Sequence, residues 1–130
     1  MSDIAPSPPQ YPGSVASAIS GAIVALLREY TGRGPTRART TIDANTIIVT
    51  LRDTLTKAER TLAERGQSSE VLAMRRAFQN TMRDDMVAVV ERLTDRTVDA
   101  FLSDNLHDPD VAVEVFLLCL DDTTSGRGGR

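Results

Sequence analysis

The sequence has no tryptophan, one cysteine, one histidine and, among fifteen cations, a single lysine, Lys57. Cys119 alone cannot close an internal disulfide, and with only His107 beside it the chain cannot complete a closed zinc site. Aromatic residues make up 4% of the chain, too few for the stacking platforms on which single-stranded nucleic acids are held. The net charge is -3 and the isoelectric point about 5.1, opposite in sign to the basic footprint of a nucleic-acid binder. We therefore expect no nucleic-acid partner. Long apolar runs are missing too: Ala22 to Leu27 falls far short of the ~20 residues that cross a bilayer. The opening MSDIAPSPPQYPG has no basic segment ahead of an apolar one, so we expect no secretory leader, no direct membrane insertion and a cytoplasmic location.

The chain does have ordinary globular composition, 41% apolar and 25% charged over 130 residues, enough for one domain with a real core. Four prolines in residues 1–13 predict a disordered tail there, and the polar, Gly-rich residues 121–130 predict another. Between them, residues 14–120 read as a single domain. Ser14 is placed to cap a first helix whose apolar stripe is Val15, Ile19, Ile23, Leu26, Leu27 and Tyr30, with Gly32 or Gly34 and then Pro35 to stop it. Thr56 and Glu59 have capping-box spacing for a short helix ended by Gly66. A long helix over about 70–93 follows, with the stripe Val71, Met74, Phe78, Met82, Met86, Val89, Val90 and Leu93.

Two hairpins complete the pattern. Arg37 to Asp43 alternates, DAN at 43–45 turns, and Ile47, Val49 and Leu51 share a face of the returning strand. The second pair is Val98 to Asp104 and Val111 to Leu120, joined by NLHDPD. LLREYTGR at 26–33 and VVERLTDR at 89–96 echo one another, each ending a helix before a hairpin. The expected fold is α+β: a two-layer sandwich with a four-stranded, mainly antiparallel sheet and two longer helices and one short helix on one face. The other sheet face is expected to show Ile48, Phe101, Phe116 and Leu118 among Arg37, Arg39, Arg52 and Glu114, and to serve as a protein interface, first of all between copies of the chain.

TGRGPTRARTTI at 31–42 looks like a phosphate loop, but its glycines follow a helix instead of preceding one. The backbone there presents carbonyls, and no phosphate-loop motif is present. The arginines remain, and Arg33, Arg37 and Arg39 are the candidate anion or small-ligand cluster. The Asp104–Asp110 loop, with His107, could flank the same cleft, although Asp, Asn and Pro are ordinary turn chemistry and no calcium-ligand spacing is present. Asp84 and Asp85 are neighbours on a helix and point apart; Cys119 is expected to be buried and inert. No catalytic set, metal site or cofactor motif emerges, and the residues point to a protein that is not an enzyme.

The order and spacing of these pieces are familiar. GRGP with Arg39, LT-x-AE at Leu55–Glu59, and SD…EVF at Ser103–Asp104 and Glu114–Phe116 resemble the MpsC family, also called YbcI-like, over roughly residues 14–120. The resemblance implies association with a Na+-translocating membrane potential-generating system. That system's other components resemble an ion-pumping respiratory subunit and a large soluble zinc protein linked to inorganic-carbon supply. It implies an accessory or regulatory role and a membrane ion-transport complex as partner, and carries over no catalytic residue.

Overall fold

The computed structural model describes residues 13–120. The tails expected at 1–13, apart from Gly13, and at 121–130 lie outside the described residues. The elements run α1 (Gly13–Thr31), β1 (Arg37–Asp43), β2 (Thr46–Arg52), α2 (Lys57–Glu64), α3 (Ser68–Thr94), β3 (Val98–His107) and β4 (Asp110–Leu118). Helix α1 starts at Gly13, which takes Ser14 into its first turn. It stops at Gly32, whose φ of +83° suits a residue without a Cβ. The Thr56–Glu59 capping box forms as expected and starts α2.

The four strands make one antiparallel sheet in the order β1-β2-β4-β3. The fold is α+β, with α1 and α3 laid side by side on one face. The core between the layers is Ile19, Ile23 and Leu27 of α1, Met82, Met86 and Val90 of α3, Ile47, Val49 and Leu51 of β2, Phe101 of β3, and Ala112, Phe116 and Leu118 of β4. Phe101 and Phe116 meet ring to ring at 5.0 Å, and the Arg83 guanidinium lies 5.2 Å from the Phe101 centroid.

Three expectations need correction. Phe101, Phe116 and Leu118 are not on the outer sheet face; they are 7%, 0% and 2% exposed and pack under the helices. The register is the reason: Ile47 pairs with Phe116, Val49 with Glu114 and Leu51 with Ala112, so those β4 residues share the inner face of β2. Glu114 is therefore buried too. The NLHDPD loop is mostly strand, because β3 continues to His107 and only Asp108 and Pro109 turn. Cys119 is half-buried, not buried.

The echo between the two helix ends is structural. The Thr31 hydroxyl donates to the Leu27 carbonyl, as the Thr94 hydroxyl does to the Val90 carbonyl, and each accepts from the amide two residues on. Gly32 and Asp95 take the left-handed step between them. Arg33 then reaches the carbonyl of Asp53, just past β2, and Arg96 that of Cys119, just past β4.

Candidate functional site

The sequence's candidate arginines part company. Arg33 is a fold residue: it also pairs with the Asp53 carboxylate at 2.9 Å, and that guanidinium holds the Asp53 carboxyl below its ordinary range. Arg60 ties Asp53 at 2.9 Å from the other side. The acidic segment is dispersed as well. Asp104 is exposed on β3, while the Asp110 carboxylate accepts hydrogen bonds from the Thr54 amide and hydroxyl and the Leu55 amide, fastening the β2–α2 connection. Arg37 and Arg39 are exposed on β1, and Arg52 stands directly across from Arg37. These three cations share the outer sheet face with no ion-pair partner among the described residues. Two like charges facing each other across a strand pair oppose the pairing, so the arrangement is one a partner or an anion would relieve.

Of the predicted interface residues only Ile48 faces out, 37% exposed. The outer face is instead built from Val111, Val113, Val115 and Leu117 of β4, with Leu102 and Leu106 of β3 beside them at 60% and 55% exposure. Polar β1 and the ends of β2 border this apolar strip on one side. No helix of the described chain covers it.

A second site lies inside and was not read from the sequence. Behind α3, Glu114 of β4 is 1% exposed, with Gln79 and Arg75 of α3 at 7% each. Ser103 sits across the β3–β4 ladder from Glu114. Glu114 Oε1, Gln79 Nε2 and Ser103 Oγ are buried without a hydrogen-bond partner among the described residues. A slot lined by Leu27, Thr31, Arg75, Gln79, Asn105 and Glu114 admits a water-sized centre over only about 10 Å³, room for about one water. Burial pushes the Glu114 carboxyl up to about 7, and nearby Ser103, Gln79 and the Arg75 charge offset only part of that. Arg75 is committed elsewhere: its Nη1 donates to Glu59 Oε1 at 2.9 Å in a buried ion pair. Glu59 Oε1 also accepts from the Thr56 amide at 2.8 Å, so one carboxylate closes the α2 capping box and pins α2 to α3.

The signal for this cluster was present in the spacing. Val71, Met82, Met86 and Val90 are continued on one helix face by positions 75 and 79, not by Met74, which is 42% exposed. Polar residues on that stripe marked a buried polar site.

A family model described as the Na+-translocating membrane potential-generating system (MpsC) matches residues 12–119. The chain belongs to the MpsC family. No curated protein and no solved structure matches it. The match spans both helix–hairpin units, so the buried Glu114 cluster and the outer sheet face both lie inside the MpsC domain. Among the described residues no helix is long and apolar enough to cross a membrane.

Proposed function

We propose that the protein is a non-enzymatic accessory or regulatory component of the Na+-translocating system, working at the cytoplasmic side through protein contact and self-association. The observation that carries this reading is the uncovered outer sheet face, where β4 presents Val111, Val113, Val115 and Leu117 beside exposed Ile48, Leu102 and Leu106. A contiguous apolar face of this kind on a small domain is a contact surface. The non-enzymatic part is supported by Glu114: among the described residues it is the one carboxyl raised to about 7, and it sits in a slot too narrow for a substrate.

The test is a cell in which the gene is replaced by the Val115→Asp allele. Val115 sits on the outer face, so the change leaves the core alone. The wild-type chain should co-purify with the system's membrane component and sustain the dye-reported potential, and the variant should do neither at equal abundance. A variant that behaves as wild type refutes the reading.

A second reading, binding of a small anion, is favoured by Arg37, Arg39 and Arg52, which with Thr36 and Thr50 line one shallow basin. Phosphate, bicarbonate or a nucleotide should then raise the melting temperature of the wild type and not of Arg39→Ala. Absence of any such shift removes it.

A further inference from the structure

We propose that a second copy of this chain covers the outer sheet face, packing sheet on sheet about a two-fold axis that runs across the strands. The inference rests on the reading of that face as a protein-contact surface and names its occupant. The ladders fix the face as a grid of four rows. Arg37, Arg52, Val111 and Leu106 form the first, and Arg39, Thr50, Val113 and Asp104 the second. Thr41, Ile48, Val115 and Leu102 form the third, and Asp43, Thr46, Leu117 and Ala100 the fourth.

A two-fold axis across the strands, between the second and third rows, lays each strand antiparallel over its own copy. Val113 then meets Val115 of the second copy, and Val111 meets Leu117, so the apolar strip of β4 closes on itself as in an aligned β-sandwich. At the β1 edge, Arg37 meets Asp43 of the second copy, twice per dimer. Arg39 and Arg52 meet Thr41 and Thr46, so no like charges oppose each other. Asp104 meets Leu102 at the β3 edge, where the carboxylate stays in water. The other two-fold, along the strands, would also form an Arg–Asp pair, Arg39 with Asp104, but it would press Arg52 onto Val111 and Arg37 onto Leu106, burying guanidinium groups against apolar side chains at a desolvation cost. Hydropathy therefore selects the first arrangement.

Four outward positions on each of four strands make a face smaller than the ~20–30 residues a side of a standard interface. Interfaces at the small end are commonly weak, so we expect a dissociation constant of about micromolar order.

The experiment is sedimentation equilibrium of the full chain from 1 to ~100 µM at low salt, with ellipticity melts to confirm folding. Wild type should pass from monomer to dimer in that range. Val115→Asp should stay monomeric while melting as a folded domain. Asp43→Arg, which sets Arg against Arg37 of the other copy, should weaken the dimer about tenfold or more, and Arg37→Asp with Asp43→Arg in one chain should restore it. The proposal is overturned by a monomer throughout or by a dimer indifferent to Val115→Asp. It is equally overturned by a double variant no better than Asp43→Arg, or by a dimer that appears only when residues 1–12 or 121–130 are deleted, which would make the chain's own segment the occupant. If the dimer fails these tests while Val115→Asp still abolishes the cellular function, the contact surface stands and its occupant is a different protein.

Discussion

Glu114→Gln should abolish a pH dependence of stability that the wild type carries. Glu114 is buried, and its carboxyl rises from 4.5 to about 7 in the folded chain. A group whose folded pKa is raised binds its proton more tightly when folded. Between the two values the unfolded chain has lost a proton that the folded chain keeps, so stability falls as pH rises through that window and levels off above about 7. Moving from 4.5 to about 7 corresponds to about 3 kcal/mol. Gln keeps the shape and cannot ionise, so its stability curve lacks this descent. Urea titrations of both proteins at pH 5, 6, 7 and 8 give the difference directly, and the difference cancels the groups common to both. Gln should gain on the wild type steadily from pH 5 and by about 3 kcal/mol over the full window, a melting-point separation of roughly ten degrees or more for a domain this size. A difference that stays constant from pH 5 to pH 8 would show that Glu114 is solvated or paired in solution, and the buried cluster would have to be redrawn.

Other substitutions probe the rest of the structure. Glu59→Ala or Arg75→Ala leaves one charge of a buried 2.9 Å pair alone and should cost about 3–5 kcal/mol in denaturant unfolding, well above a surface-pair loss. Phe116→Ala should cost a similar ~3–5 kcal/mol because the ring is fully buried, whereas Leu102→Ala on the open face should leave monomer stability within about 0.5 kcal/mol; comparable losses at both would contradict the register. Arg33→Ala should lower the melting temperature by removing its bonds to the Asp53 carbonyl and carboxylate, yet leave any anion-induced shift intact, because Arg33 is engaged with the β2–α2 connection and not with Arg37 and Arg39; loss of the anion response in this variant would reunite the three arginines.

Most of the fold could be read because local signals agreed with one another. The α1 stripe of Ile19, Ile23 and Leu27, the Thr56–Glu59 box and the Asp43–Asn45 turn each specify their element with residues a few positions apart. The phase of β4 could not be read that way. From Val111 to Leu120 every residue except Glu114 is apolar, so alternation says nothing about which face is inside, and the lone carboxylate suggests the wrong one. What decides the phase is a set of partners far away in sequence. Phe101, itself covered by Arg83, receives Phe116, and Gln79 and Arg75 crowd Glu114. The outer face was misassigned for the same reason: once β4 is turned over, Val113 and Val115 come out and Phe116 goes in. The arginines were legible as residues and not as a group, since only the tertiary path reveals that Asp53 lies within reach of Arg33.

The internal echo shows why the Glu114 cluster is worth pursuing. The two helix–hairpin units relate α1 to α3, β1 to β3 and β2 to β4, and the sheet order β1-β2-β4-β3 has the symmetry of a two-fold between β2 and β4. Ile19, Ile23 and Leu27 correspond to Met82, Met86 and Val90, all buried. On the sheet, Val49 and Glu114 are ladder partners at the centre, each the counterpart of the other. One unit places Val49 there, and the other places a carboxyl. In the same unit α3 carries Gln79 where α1 has Ala16 and runs on past the counterpart of α1 to supply Arg75, and α2 supplies Glu59. Two halves that are otherwise alike thus differ where the polar cluster sits. Stability alone would have been served by a second valine, since a well-packed apolar group costs no desolvation. If Glu114→Val yields a more stable protein that no longer supports the dye-reported membrane potential, the carboxyl is kept for the function; if the valine variant is both stable and fully active, the asymmetry has no functional weight.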